Sequence, residues 1–427
     1  MNVRVTLGRA LLVALVAAIV GLFAVNLLSG AEKQITKRIE HRYAIDDPQF
    51  LRSMGVLLGP ALIDGNKVDT LRNGEQIFPA MLAAIRAAKQ TITFETYIYW
   101  SGNTGKAFAD AIAERARAGV KVHVLLDWVG SQKMDARLIA QMKEAGVEIE
   151  KYHPLSWYTI DRLNNRTHRK LLIVDGRVGF TGGVGIADEW DGHAQDKDHW
   201  RDTHYRLEGP AVAQMQAAFA DNWTKVSGVV LHGEPYFPAE SKSGALYAQM
   251  FKSSVDSGAE SMHLMYMLSI AAAEKSIDMS MAYFVPDDLA LSTLTAALER
   301  GVKVRIIMPG PITDASLVRH ASRSTWGAIL AAGAEIYEYQ PTMFHCKVLV
   351  IDGIWTSVGS TNFDVRSFRL NDEANLNVLD RSFAQRQIAD FEDDLSHSRK
   401  ITFEEWANRP WIERASEKFL GWFGSQL

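Results

Sequence analysis

The chain has 427 residues, 47% of them hydrophobic and 22% charged, the composition of a folded protein with a large core and room for two or three domains. Its net charge of −4 shows no basic footprint of the kind proteins living on nucleic acid carry, which disfavours a nuclease unless a local basic groove hides in that total. The single cysteine, Cys346, excludes an intramolecular disulfide and reads as a small residue packed along a strand.

In chain order the first feature is Ala10–Leu28 (ALLVALVAAIVGLFAVNLL), nineteen residues without a charge and with Asn26 as the one polar interruption. About 20 apolar helical residues span a bilayer core. Arg4 and Arg9 precede the run, as in a signal peptide, but the SGAEK after it is a poor cleavage site. The expectation is an uncleaved transmembrane anchor in residues 1–30 and a juxtamembrane linker in 31–60. Basic residues on both flanks, Arg4 and Arg9 against Lys33, Lys37, Arg38 and Arg42, leave its direction open.

The body is written twice. Thr91–Trp100 (TITFETYIYW) and Ser276–Val285 (SIDMSMAYFV) both read as apolar, β-prone strands. A helical pattern follows each; in the first, Phe108 and Ile112 lie one turn apart. Then come AGVKVHVLLD and RGVKVRIIMP, sharing Gly-Val-Lys-Val at an offset of 301 − 119 = 182. A helix carrying Leu138, Ile139 and Met142 on one face leads to EAGVEIEKY, whose counterpart is AAGAEIYEY. Strands alternating with helices predict an α/β fold with a largely parallel sheet. Two such domains in tandem, at 61–232 and 251–400, make a pseudo-twofold molecule. They are joined by a Gly-, Pro- and Ser-rich linker at 233–250 and followed by an aromatic-rich tail at 401–427.

Each copy carries one constellation. His168-Arg-Lys170 runs through LLIV to Asp175-Gly176, and His345-Cys-Lys347 runs through VLVI to Asp352-Gly353. A glycine follows each histidine by fourteen residues, Gly182 and Gly359. Side chains two apart on a strand share a face, so each histidine and lysine project together from a strand whose apolar residues are buried on both sides. Displacing an alcohol from a phosphodiester needs a nucleophile, a proton donor and positive charge around the phosphoryl oxygens. Two imidazoles in opposite protonation states supply the first two, and Lys170 and Lys347 the third. Asp175 and Asp352 each precede a glycine between apolar runs, the signal of a tight hairpin, and read as mainly structural. The polar stretch His193, Asp196, Asp198, His199, Asp202 and His204 offers metal-ligand residue types at irregular spacing, and no metal is expected.

The duplicated His-x-Lys-x4-Asp string in a repeated α/β frame resembles the signature of the phospholipase D superfamily, and the resemblance covers nearly all of the chain after the anchor. Within it, GGVGIADEW, HWRDTHYRLEGPAV, GSTNFDVRSFRLNDEANL and the carboxyl-terminal ITFEEWANRPWIERASEKFLGWF are similar to bacterial cardiolipin synthases. The resemblance places Asp175 and Asp352 in the catalytic signature beside the histidines and lysines. It implies a covalent phosphohistidine on one histidine, with His168 assigned as that nucleophile, while the other serves as acid and then base. It further implies that Glu373, with Asp202 as its first-copy counterpart, orients a catalytic histidine, and that Ser360 and Asn362 belong to the phosphate site. The first copy has Gly185 where that asparagine is expected, so the half-sites differ. The expected activity is phosphatidyl transfer from phosphatidylglycerol to form cardiolipin or a related phospholipid at the bacterial inner membrane, without cofactor or nucleic-acid partner. A hydrolase making phosphatidic acid, or a nuclease, would use the same residues. Trp406, Trp411, Phe419, Trp422 and Phe423 could seat at a bilayer interface or close the core of the second domain.

Overall fold

The computed structural model describes residues 12–21, 35, 37–154, 165–239, 241–254 and 260–421. Residues 12–21 are helical, with Leu12, Val13, Leu15, Val16, Ile19 and Val20 all exposed. The rest of the expected anchor lies outside the described residues, among which no helix is long and apolar enough to cross a membrane.

The first half contributes β1 (Ile63–Arg72), β2 (Thr91–Thr96), β3 (Lys121–Asp127), β4 (Glu148–Tyr152), β5 (Arg166–Thr167), β6 (Leu171–Val174), β7 (Val178–Gly182) and β8 (Thr203–Glu208). The second contributes β9 (Leu246–Ser253), β10 (Ser276–Met281), β11 (Phe284–Val285), β12 (Lys303–Pro309), β13 (Glu335–Tyr339), β14 (Lys347–Ile351), β15 (Trp355–Gly359), β16 (Phe363–Asp364), β17 (Asn371–Leu379) and β18 (Ser398–Ile401). From the centre outward, β1-β8-β7-β6-β2-β3-β4 is repeated as β9-β17-β15-β14-β10-β12-β13, with β18 added at the outer edge. The antiparallel pair β1–β9 joins the halves into one sheet.

The sheet is mixed rather than largely parallel. The consecutive parallel runs are β2-β3-β4 and β10-β12-β13, linked by helices such as Asn103–Arg117, which buries Phe108 and Ile112, and the short β5 also lies parallel to β17. The strands after each His-x-Lys, β6 and β14, turn back at Asp-Gly, where φ is 53° and 61° at Asp175 and Gly176 and 53° and 62° at Asp352 and Gly353. Positive φ at both residues makes a tight turn, closed by the Arg177 amide on the Val174 carbonyl and the Ile354 amide on the Ile351 carbonyl, and a loop of three residues between paired positions forces the antiparallel partners β7 and β15.

The segment expected to be a linker at 31–60 is partly core. Asp47 caps a helix at Pro48–Arg52 that runs into a wider turn at Ser53–Leu58. Phe50 and Met54 are buried in the second half, Phe50 edge-on to Trp355 at 4.9 Å. Burying a large apolar side chain yields about 1.5–3 kcal/mol, enough to order a short segment that spacing alone leaves as linker. Leu246–Met250, at the end of the expected 233–250 linker, lie in β9 for a similar reason: each half needs a central strand. In the tail, Trp406 packs on the second-half core with its indole N–H donating to the Arg323 carbonyl at 2.7 Å, whereas Trp411 is 75% exposed. The Phe419 side chain, Trp422 and Phe423 lie outside the described residues.

Candidate active site

Both histidines sit just before a buried strand and are latched across the molecule. The His168 amide donates to the Asp372 carbonyl at 2.9 Å, and the His345 amide to the Arg201 carbonyl at 2.8 Å. The next residue after each acceptor is an acid, Glu373 on β17 and Asp202 just before β8. The latch therefore aims each acid at the histidine of the other half. Nδ1 of His168 lies 2.9 and 3.0 Å from the two oxygens of Glu373, and Nδ1 of His345 lies 2.7 Å from Oδ2 of Asp202. A carboxylate on Nδ1 holds the proton there and leaves Nε2 as the reactive nitrogen. The two predicted acids thus orient the two predicted histidines, but crosswise.

Buried guanidinium groups grip the backbone of both acids. Arg169 donates to the Glu373 carbonyl at 3.3 Å and to those of Ala218 and Ser253, each at 2.7 Å. Arg201 donates to the Asp202 carbonyl at 2.6 Å and forms a two-pronged pair with Asp394, 2.8 Å on each prong. Arg169 thus occupies the middle of the first His-x-Lys, while the second has Cys346 there, buried between Phe344, Tyr339 and Phe391 with its thiol pushed by burial up to about 12.

The carboxylates are supported differently. The Ser360 hydroxyl and the Asn371 amide, the latter at 3.2 Å, donate to Glu373. Asp202 receives the Trp190 indole N–H at 2.9 Å and the Thr203 amide at 2.7 Å. Gly183 occupies the position of Ser360, and a Cβ there would stand 2.1 Å from Oδ1 of Asp202. The carboxylate fills the space a serine would need, so Trp190 supplies the missing donor. Gly185, where Asn362 stands in the other copy, is likewise closed to a side chain by Ile98, 2.8 Å from a Cβ. Asn362 itself lines the cavity.

Electrostatics set the resting charge. Burial, helped by Lys170 and Lys347, draws His168 down to about 4 against the opposing pull of Glu373. Burial and Lys347 also lower His345. Lys170 is brought down to about 7 by burial and by Lys347, and Lys347 is lowered by burial. Glu373 and Asp202 stay below the usual carboxylate range, because the facing histidine and nearby lysine outweigh burial. Burial is the first cause of each histidine and lysine shift, and an anion held beside these groups would favour their protonated forms. His168, Lys170, His345 and Asn362 open onto one cavity of about 620 Å³, walled by Tyr97 and by Trp190, Trp200 and Tyr283, each within 6.4 Å of the His168 or His345 imidazole centroid. Sequence reasoning singled out none of these aromatics as cavity walls, although Trp190 ends one of the family-like phrases, GGVGIADEW.

Asp175 and Asp352, counted in the catalytic signature by resemblance, are placed by the structure in hairpin turns. They stand at the far ends of β6 and β14 from the histidines. Asp175 accepts from the amides of Lys89, Gln90 and Thr91 at 2.7–2.9 Å, and Asp352 from those of Glu274, Lys275 and Ser276 at 2.7–2.9 Å. These bonds fasten the hairpin to the start of β2 and β10. Asp352→Ala is expected to cost about 2–3 kcal/mol of stability by removing charge-assisted bonds while leaving kcat within about twofold at permissive temperature. Thermal melting beside a rate assay checks this, and a large kcat loss in a folded variant would restore a catalytic role. In the polar stretch, Asp202 turns to His345, His204 is buried in β8, and His199 bonds Asp196 at 2.7 Å on the surface. No group of potential metal ligands converges among the described residues.

Two half-sites of this kind closing on one cavity in a duplicated α/β sheet define a phospholipase D-like protein. The family model described as cardiolipin synthase, PLD-like domain matches residues 81–223 and 266–395. The probable cardiolipin synthase YwiE of Bacillus subtilis is 37% identical over 85% of this chain and 72% of its own length. The major cardiolipin synthase ClsA of the same organism is 37% identical over 82% of this chain and 73% of its own length. The crystal structure of phosphatidylserine synthase from Haemophilus influenzae superposes with a TM-score of 0.66 at 16% identity, covering 83% of this chain and 92% of that one, a likeness of fold. The chain belongs to the cardiolipin synthase family of the phospholipase D superfamily, and it is an enzyme of the phospholipid-synthesising phosphatidyltransferase class.

Proposed function

We propose that the enzyme joins two phosphatidylglycerol molecules into cardiolipin and releases glycerol, through a phosphatidyl group carried on His168. The observation that supports this reading is the crossed pair of histidine–carboxylate contacts at one cavity, which gives two imidazoles each held at Nδ1 by a carboxylate, with Lys347 3.2 Å from Nε2 of His345. The incoming phosphodiester is an anion drawn to the lysines. It sits between Lys170 and Lys347 and raises the affinity of His345 for a proton. Nε2 of His168 attacks phosphorus, the bond to the glycerol oxygen breaks, and His345 gives that oxygen its proton. Glycerol leaves. The hydroxyl of a second phosphatidylglycerol then passes its proton to His345 and attacks phosphorus, and the phosphorus–nitrogen bond breaks to regenerate His168. Asp202 stabilises the imidazolium form of His345, and Glu373 that of His168 as nitrogen loses electron density to phosphorus.

Interception by a lipid hydroxyl rather than water is favoured where lipid is locally concentrated. The apolar run at 10–28 supports a single-pass attachment to the bacterial cell membrane, and the exposed apolar helix at 12–21 is its described part. Protein in mixed micelles of phosphatidylglycerol, with lipid products identified by mass spectrometry, tests the reading. Cardiolipin with free glycerol, unchanged by a chelator, is the expected result. Phosphatidic acid alone would make the enzyme a hydrolase using the same residues.

A further inference from the structure

The two catalytic histidines stand in unlike surroundings. Three rings pack around His345, with centroids at 5.2 Å for Trp190, 5.6 Å for Trp200 and 6.4 Å for Tyr283. Among the described residues Tyr97 alone packs a ring on His168, at 5.2 Å. Trp190 also meets Trp200 at 4.4 Å and Trp100 at 6.5 Å, so three indoles run along one stretch of the cavity wall.

The register of the repeat shows where the difference arises. Trp190 stands twenty-two residues after His168, and Ser367 twenty-two after His345. Trp200 stands two residues before Asp202, and Asn371 two before Glu373. All four line the cavity. Because the acids cross over, the residues just before them cross too. Asn371 arrives with Glu373 at His168, its amide donating to that carboxylate at 3.2 Å, and Trp200 arrives with Asp202 at His345. The latch that holds His345 also fixes Trp200. Its amide donates to the Glu189 carbonyl at 2.6 Å, and the next residue, Arg201, donates to the Met343 carbonyl at 2.9 Å and accepts from the His345 amide at 2.8 Å. An indole thus stands at the base where the other half-site has a primary amide.

In the reaction proposed above, His345 is the base of the second step, and two attackers compete there. The balance is the same for both. The attacking oxygen passes its proton to His345 and bonds to phosphorus, and the bond from phosphorus to Nε2 of His168 breaks. A phosphatidylglycerol hydroxyl gives cardiolipin, whereas water gives phosphatidic acid. The polar tips of two of the rings are already engaged, the Trp190 N–H by Asp202 at 2.9 Å and the Tyr283 hydroxyl by Asp314 at 2.6 Å. A water molecule gains nothing from an indole surface. A headgroup hydroxyl brings three carbons with it, and each CH2 buried against a ring is worth about fourfold. We propose that Trp200 sets the acceptor: packed beside His345, it favours a hydroxyl carried on carbon over water and so makes the enzyme a transferase rather than a hydrolase. The assignment rests on the transfer reading and extends it to one side chain outside both His-x-Lys motifs. Trp190 shares the wall but also donates to Asp202, so the test falls on Trp200.

With phosphatidylglycerol in mixed micelles as donor and acceptor, the readout is the ratio of phosphatidic acid to cardiolipin. In Trp200→Ala it is expected to rise about tenfold, the scale on which a small change in an apolar pocket discriminates. Trp200→Phe, which keeps a ring, is expected to show a smaller rise. An unchanged ratio in Trp200→Ala overturns the assignment even when both products fall together, because a structural loss slows both attackers alike. Where thermal melting shows that variant unfolded, the same ratio in Trp200→Phe decides. A second measurement needs no variant. Primary alcohols from methanol to butanol compete with water for the phosphatidyl group, supplied by a short-chain phosphatidylglycerol below its micelle concentration. Preference over water is expected to climb about twofold to fourfold with each carbon, and a flat series overturns the assignment. An unsubstituted enzyme that makes phosphatidic acid alone would instead overturn the transfer reading, and the assignment with it.

Discussion

Alanine at His168 or at His345 is expected to lower phosphatidyl transfer by about 10^5-fold, the scale of removing one member of a concerted catalytic set. Neither change should unfold the protein, because each histidine is held through its own backbone amide as well as its ring. The two losses differ in kind, and a substrate with a good leaving group separates them. A nitrophenyl phosphodiester needs no proton donor, so His345→Ala should still release nitrophenol in a single burst and retain a labelled phosphatidyl group on the protein. His168→Ala should give neither burst nor label. The opposite pattern would move the nucleophile to His345 while leaving the two-histidine mechanism intact, and a burst in both variants would defeat it.

The second large effect concerns the crossed acids. Glu373→Gln and Asp202→Asn should each slow the reaction about 10^3–10^4-fold with little change in fold, because the amide removes the charge that fixes the tautomer and supports the imidazolium. The direction of the accompanying titration shift is set by the geometry. Glu373 opposes the effect of burial on His168, so its loss should lower the His168 pKa further and leave His345 nearly unmoved. Asp202→Asn should do the same to His345. Histidine resonances followed by NMR against pH give the readout. A shift of His345 in Glu373→Gln would mean that each acid serves the histidine of its own half, contrary to the crossed arrangement.

Much of this site was legible because its chemistry is local in sequence. A histidine and a lysine two apart on an extended segment share a face whatever the rest of the chain does. Asp-Gly between apolar runs requires positive φ, so the hairpins at Asp175 and Asp352 follow from residue type, and with them the structural role of both aspartates. The same turns reverse the strand direction, so a largely parallel sheet was the wrong expectation although the repeated strand segments were placed. The aromatic walls were not legible, since Tyr97, Trp200 and Tyr283 look like any strand or loop aromatic until the fold brings them to one cavity. Nor was the helix at Pro48–Arg52, whose order comes from the apolar surface it covers in the second half.

The sequence by itself determined the duplicated α/β frame and the two His-Lys pairs, while the two acids were named through the family resemblance. The frame and the pairs depend on periodicity and short spacing, which the chain carries wherever it folds. Only the tertiary structure decided which acid meets which histidine. The contacts span 205 and 143 residues, and their pairing is fixed by where β5 meets β17 and where Arg201 meets Phe344, two crossings between halves that no spacing encodes. The lining of the cavity is decided in the same way. Arg366 belongs to the second copy by sequence, yet the fold brings it to the wall of Arg166 and Tyr97 in the first, since a cavity between two halves is lined by both.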